Sequence, residues 1–348
     1  MAEKRFVSAL GVEETWQDAR AHTGLGPHSL HLPAEPQRLR HALDLLGKLI
    51  DELQRSRAAL DEAAGDSDVH GDTAHSLQRV VRFSRFTARR DAELLDELAQ
   101  AVQHLVDELT QVRGSEMEQL RSRWESAQVE LVAAAKSAHQ SHPRQLLASI
   151  DADLTDEYRP MFRRLHGSLP GEGGGGAMLV AADTELDQEI RRYKHTARAV
   201  LEEFQQAVHR VRQAERSVRA HLSWEPREKR QPEDVHGGQQ QHEIEPTGIS
   251  GPKVLHRLRA ALDDGADVLE NAIPQLGPIA RSIDDGMLPD HGDDDTDRRD
   301  FRHEWEQHLQ RRVKRMRFVS KTSDKMANAL AKLDRETANE IFKDQDDD

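Results

Sequence analysis

The chain contains no cysteine, and this absence alone removes several classes of protein chemistry. A disulfide framework, a thiolate nucleophile, a cysteine-ligated zinc site and an iron–sulfur cluster all need thiol groups. The amino-terminal segment reaches the charged pair Glu13 and Glu14 before any apolar stretch of signal-peptide length, and no later run is apolar enough to span a bilayer. From these absences we expect a cytoplasmic protein without a transmembrane segment.

Large apolar side chains are also scarce for a chain of 348 residues. Only 36% of the residues are apolar and 4% aromatic, whereas 32% are charged. A chain this polar fills narrow helical seams more readily than one broad core, so the composition favours an elongated architecture. The net charge of −14 makes this an acidic protein, and binding to nucleic acid or to an anionic membrane therefore needs a local basic patch.

What the sequence does contain is a repeated 4-3 spacing of apolar residues. Between His75 and Arg113, apolar residues occupy nine of eleven such positions, and only Ser84 and Asp91 interrupt the series. The spacing predicts a long helix with a coiled-coil seam, in which the two polar residues either set the register or the oligomeric state, or mark where the helix leaves the seam. The same spacing predicts further helices over residues 39–60, 117–138 and 183–222. The seam residues singled out are Leu77, Val81, Leu95, Leu98, Val102, Leu105, Leu109, Ile190, Val200, Phe204 and Val211.

Glycine, proline and polar residues divide the helical segments, and strand patterns are nearly absent. The predicted fold class is all-α: an elongated helical bundle with coiled-coil-like heptad seams, plus a smaller helical C-terminal module. Gly114 either ends the longest helix or kinks it, and Pro160 has the same two interpretations in a later helix. The predicted divisions are a partly irregular N-terminal segment (1–35), a bundle or coiled-coil body (36–224), a flexible linker (225–252) and a helical module with an acidic loop and a basic helix (253–348).

Motifs that resemble known catalytic or cofactor sites fail on their context. The glycine run at residues 171–176 has the spacing of a dinucleotide-binding loop, but no strand precedes it. His303 and His308 are five positions apart, which turns them about 140° from each other on a helix, so they cannot share a metal ion as an i, i+4 pair does. We therefore assign no catalytic residue and no cofactor. An enzyme with an unfamiliar all-α active site stays open, because helical sites assemble from distant residues.

The acidic loop at residues 284–300 carries a partial calcium-site pattern. Arg298 takes the position at which an EF-hand loop needs glycine for its sharp turn, and Arg299 adds further repulsion to a cation. We expect a solvated acidic loop at this place. The residues at the carboxylate positions, kept only as weak metal-ligand candidates, are Asp293, Asp295, Asp297 and Glu304.

The sharpest local feature is a basic run near the carboxyl end. Residues 311–321 carry a charge of +6 without any acidic residue, and they follow the acidic loop, whose charge is −6. The two segments either neutralise each other in the fold, or the basic helix contacts nucleic-acid phosphates or an acidic partner. No aromatic array for stacking single-stranded bases accompanies the run. The candidate contact residues are Arg311, Arg312, Lys314, Arg315, Arg317 and Lys321.

The regular seams and the failed catalytic motifs favour a non-enzymatic function. We expect a helical scaffold or assembly protein that binds itself or another helical protein through coiled-coil contacts, with an oligomeric state that the seams do not determine. The first alternative is a nucleic-acid-associated protein that binds the phosphate backbone through the basic C-terminal helix. The second is the enzyme with an unrecognised all-α site.

Overall fold

The computed structural model describes residues 5–7, 13–15, 26–64, 72–138, 143–167, 184–223, 252–289 and 296–346. The predicted all-α class is confirmed within these ranges, where the strands are limited to a short antiparallel hairpin of β1 (Arg5–Val7) and β2 (Glu13–Thr15) that the sequence did not predict. The helices are α1 (Pro36–Ala64), α2 (Asp72–Gln111), α3 (Met117–Ser137), α4 (Pro143–His166), α5 (Thr184–Leu222), α6 (Pro252–Ala272), α7 (Leu276–Gly286) and α8 (Thr296–Asp346).

Helices predicted from the apolar spacing are present with bounds close to the expected ones. The longest of these, α2, has 40 residues and contains neither glycine nor proline, which would interrupt its hydrogen bonds. The helical path continues through Gly114 in a π-helical turn, Val112–Glu116, and Pro160 lies inside α4 instead of ending it. None of the described helices combines the length and the apolar character needed to cross a bilayer.

The chain divides into two compact units, each built from segments that are separated in sequence. Unit 1 comprises Met1–Leu39, Gln103–Val218 and Asp285–Asp294, and unit 2 comprises Arg40–Val102, Arg219–Asp284 and Asp295–Asp348. Unit 2 thus combines residues from both the predicted body and the predicted C-terminal module. The sequence-based division itself stays a prediction, and its linker lies outside the described residues except for Pro252.

Aromatic side chains form the centre of unit 1. Trp124 of α3, Phe162 of α4, and Tyr193 and Phe204 of α5 are among the largest fully buried side chains. The rings of Phe162 and Phe204 stack with their centroids 6.2 Å apart. Because these few large rings come from three helices, they fill the core of a chain that is otherwise poor in aromatic residues.

In unit 2, helix α6 packs against α8, and small residues allow α1 to approach α6 closely. The hydroxyl of Ser56 on α1 donates a hydrogen bond of 3.1 Å to the carbonyl oxygen of Gly265 on α6. Trp305 and Phe301 of α8 are buried beside each other, with ring centroids 6.2 Å apart. The interior of this unit therefore positions α8, which carries the predicted basic run.

Candidate functional site

The two polar interruptions of the α2 seam, Ser84 and Asp91, lie in a buried cluster of charged groups in unit 2. Asp91 is only 2% exposed, and its partners are two residues of α8. Arg312 donates from Nη1 to Oδ2 of Asp91, and from Nη2 to the carbonyl oxygen of Ser84 at 3.2 Å. Nε2 of His308 lies 3.1 Å from each carboxylate oxygen of Asp91. We call Asp91, His308 and Arg312 the buried charge cluster.

This cluster links α8 to α2 through charged groups. A buried ion pair adds little net stability, because the cost of removing its charges from water offsets their attraction. If α8 shifted along α2, however, Arg312 would be buried without its carboxylate partner, which is strongly unfavourable. Ser84 and Asp91 are therefore both engaged by α8 of the same chain, and a role in setting the helix register stays a prediction.

Two further members of the predicted basic run also make contacts inside unit 2. Arg317 donates to Asp263, Asp267 and Glu270 of α6, and the hydrogen bond to Asp267 is the largest cause that raises the pKa of Arg317 above its ordinary value. The guanidinium group of Arg315 lies over the ring of Phe83 on α2, 4.8 Å from its centroid.

The other residues of the predicted run lie on the surface. Lys314 and Lys321 are exposed, and so is Arg311, which donates a hydrogen bond of 3.1 Å to Gln307. The described acidic partners of the run, which bind Arg312 and Arg317, belong to α2 and α6. Neutralisation by the acidic loop stays a prediction, because residues 290–295 of that loop lie outside the described residues.

A second basic run, which sequence reasoning missed, lies beside the first. Residues 79–90 of α2 contain five arginines and no acidic residue. The contacts of Phe83 with Arg315 and of Asp91 with His308 place this run along α8, with the two helices antiparallel. A charge count over α2 alone would have found the run, but its position beside residues 311–321 depends on the fold.

Two phenylalanine rings project from these same two helices, although the sequence pattern indicated no aromatic array beside the basic run. Phe86 on α2 is 64% exposed and Phe318 on α8 is 72% exposed, and they are the exposed large hydrophobic side chains in the described part of the chain. Phe86 follows Phe83 by three positions, and Phe318 follows Arg315 by three positions. Residues three apart lie on one side of a helix, so each ring lies on the side of its helix that carries the Phe83–Arg315 contact. We call this surface the basic aromatic face; it comprises Arg79, Arg82, Phe83, Phe86 and Arg90 of α2 and Arg311, Lys314, Arg315, Phe318, Lys321 and Lys325 of α8.

The predicted seam residues lie in the interior, with one exception. Ile190 of α5 is half-buried. The buried members are Leu77, Val81, Leu95, Leu98, Val102, Leu105 and Leu109 of α2 and Val200, Phe204 and Val211 of α5. Since these side chains are covered within a single chain, contacts with another copy involve other surfaces unless the helices separate. A coiled-coil assembly stays a prediction.

The weak metal-ligand candidates fall only partly within the structure. Asp293 and Asp295 lie outside the described residues, whereas Asp297 lies in the first turn of α8 and Glu304 is half-buried further along it. Among the residues that the structure describes, no group of three or more histidine and acidic side chains could hold a metal ion.

Unit 1 contains a buried polar network that no sequence motif indicated. The indole Nε1 of Trp124 donates to Oη of Tyr193 at 2.9 Å, and Oη of Tyr193 donates to Oδ1 of Asp151 at 2.6 Å. Oδ2 of Asp151 is buried and accepts no hydrogen bond within the described residues. The network therefore joins α3, α4 and α5 through three side chains.

Burial also determines the protonation state of this network. It raises the pKa of Asp151 from 3.8 to about 8, although the hydrogen bond from Tyr193 acts in the opposite direction. Burial and the neighbouring carboxyl group together raise the pKa of Tyr193 well above its ordinary value. At neutral pH both groups are therefore mainly protonated, so the network consists of neutral hydrogen-bonding groups.

Comparison with known proteins identifies no relative: no family model matches the chain, and neither the curated proteins nor the solved structures searched contain a match.

Proposed function

We propose that this chain is a non-enzymatic helical scaffold protein that acts through protein–protein contacts, first with other copies of itself and also with other helical proteins. The observation that supports this function is the buried charge cluster. The imidazole of His308 and the guanidinium of Arg312 both bind the carboxylate of Asp91, which links α2 to the 51-residue helix α8. Ionisable side chains are thus used to hold long helices in one arrangement, as a scaffold requires.

The distribution of charge along α2 supports self-assembly through outer helix faces. Residues 79–90 carry five basic side chains and no acid, whereas residues 93–108 carry five acidic side chains and no Lys or Arg. Of the acidic group, Glu93, Asp96, Glu97 and Asp107 are exposed. Opposite charges attract across an interface, so the basic half of α2 in one copy favours the acidic half in another. Antiparallel pairing of α2 with the α2 of a second copy satisfies both halves at once, and such a contact is isologous.

Sedimentation equilibrium over a range of protein concentrations tests this function. We expect the average molar mass to rise with concentration in 0.1 M salt and to fall towards that of one chain in 1 M salt, because the Debye length shortens from about 10 Å to about 3 Å. The mass of a single chain at every concentration in 0.1 M salt would contradict self-assembly. An oligomer that persists unchanged in 1 M salt would assign the contact to an apolar surface instead.

A further inference from the structure

The cations of the basic aromatic face form a dense positive surface on a negatively charged protein. Residues 79–90 and 311–321 contain five and six basic side chains and no acid, while the whole chain carries −14. Arg85 and Arg89 of α2 already have acidic partners, as do Arg312 and Arg317 of α8. Arg79, Arg90, Lys314 and Lys321 are exposed, and no ion pair involves them within the described residues. The face is therefore suited to a partner with several negative charges along its length.

The exposed rings of Phe86 and Phe318 lie among these cations. Because α2 and α8 are antiparallel, the three positions from Phe83 to Phe86 and from Arg315 to Phe318 run in opposite directions. At a rise of 1.5 Å per residue, the two phenylalanines are about 9 Å apart along the helix axes. They provide two separate aromatic surfaces, one on each helix.

The combination favours one kind of polyanion. An amphipathic helix docks into a groove with apolar anchors at several successive turns, and a membrane surface needs a continuous apolar strip for insertion. The basic aromatic face instead has two exposed rings separated by cations. Single-stranded nucleic acid matches this pattern, because its bases stack on aromatic rings while its phosphates follow a line of positive charge. We propose that the basic aromatic face binds single-stranded nucleic acid, with bases stacked on Phe86 and Phe318.

This binding function goes beyond the scaffold function and requires no second copy of the chain, but a strand and the acidic half of a second copy would compete for Arg79, Arg82 and Arg90 of α2. A monomeric protein would still bind a strand, and an assembly without affinity for nucleic acid would still be a scaffold. Sedimentation without oligonucleotide therefore tests the scaffold function separately from the binding experiment below.

The test is a fluorescence-anisotropy titration of labelled oligothymidylate and oligouridylate with the full chain in 0.1 M salt. We expect the double variant F86A/F318A to bind both single strands at least about tenfold more weakly than the original chain, because stacking energy is lost with each ring. Affinity for a duplex of the same length should be unchanged, since its bases are already paired and stacked. Circular dichroism checks that the helices are intact, as expected for changes at exposed positions.

A charge variant and a matched control test the phosphate contacts. K314E/K321E should weaken the binding of single strands and duplex alike, and should reduce the dependence of log affinity on log salt concentration. K48E/K253E changes the net charge by the same amount at exposed lysines outside the face. This control should retain the original affinity to within about twofold and the original salt dependence.

Three results would overturn the proposal. The first is the absence of strand binding in 0.1 M salt, and the second is an equal effect of F86A/F318A on single strands and duplex. The third is binding of polyglutamate, or of phosphatidylserine vesicles, that is as tight as strand binding and equally sensitive to F86A/F318A. That result would assign the face to an acidic protein or to a membrane surface.

Discussion

At the scale of single residues, the interior of this protein uses two aspartates in different ways. Asp91 forms an ion pair with Arg312 and a contact with His308, whereas Asp151 is buried with a neutral partner, Tyr193. The surroundings therefore decide whether the negative charge of a buried carboxyl group is compensated by a neighbouring cation or removed by a bound proton. Each arrangement predicts a different response to substitution.

Replacement of Asp91 tests the buried charge cluster. Asp91→Ala leaves Arg312 buried without its carboxylate partner, so we expect the free energy of unfolding to fall by about 3–5 kcal/mol. Urea unfolding followed by circular dichroism measures the change. As a control, replacing Asp91, His308 and Arg312 together by Leu, Leu and Met should restore most of the stability, because no buried charge then lacks a partner. A loss below about 1 kcal/mol for Asp91→Ala would contradict the role of the cluster.

The raised pKa of Asp151 predicts how stability depends on pH. The pKa of Asp151 is about 8 in the folded chain, whereas its ordinary value is 3.8. Between these two pH values the folded state therefore holds a proton that the unfolded state releases. This contribution to stability is complete below about pH 4 and is lost progressively as the pH rises to about 8. For Asp151→Asn, the free energy of unfolding, measured by urea titration at each pH, should therefore fall less steeply as the pH rises over this range.

The matched control for that experiment is Asp153→Asn. Asp153 is an exposed residue of the same helix and contacts Lys194 at 3.3 Å. This substitution should leave the steep pH dependence in place. If Asp151→Asn and the original chain showed the same slope, the neutral state of the buried carboxyl group would be disproved.

At the scale of elements, close packing at a glycine links the end of α7 to the start of α1 in unit 1. The backbone N–H of Glu35 donates to the carbonyl oxygen of Gly286 at 3.1 Å. A Cβ atom on Gly286 would lie 2.5 Å from Cγ and 3.1 Å from the backbone nitrogen of Leu39. No side chain fits at this position without a shift of the backbone.

Alanine substitutions at two helical glycines test this packing. Gly286→Ala should lower the free energy of unfolding by about 1–3 kcal/mol, because the added methyl group overlaps Leu39. Gly47→Ala, on α1, meets no atom within 4 Å and should raise stability by up to about 1 kcal/mol through its higher helix propensity. Thermal unfolding of both variants gives the comparison. Equal effects at the two positions would show that the contact with Leu39 does not limit the packing.

The long helices follow from local sequence, but their pairing does not. The 4-3 spacing predicted α2 and α5 to within a few residues, because the period of an α-helix is set by neighbouring residues. The same spacing marked Ser84 and Asp91 as unusual. It did not reveal Arg312 as their partner, since the two helices meet through contacts between residues more than 200 positions apart.

At the scale of the whole molecule, the separation of positive and negative charge predicts salt-dependent assembly. Asp96→Lys/Glu97→Lys reverses two exposed acidic residues of α2 and should reduce the self-association measured by sedimentation in 0.1 M salt. Asp187→Lys/Glu202→Lys makes the same charge change at exposed positions of α5 and serves as the control. An equal loss of association in both variants would mean that net charge, and not the charge pattern of α2, controls assembly.

Composition, periodicity and charge are local properties, so the residues alone predicted the helical class, most helix bounds, the apolar spacing of the long helices and the strongly basic run. Helix packing, by contrast, places Arg312 in a buried cluster, leaves Phe86 and Phe318 exposed, and brings residues 79–90 beside residues 311–321. These facts depend on which helices pack together, and many different pairings can bury the same set of apolar seams. The candidate binding surface therefore arises from packing between distant segments.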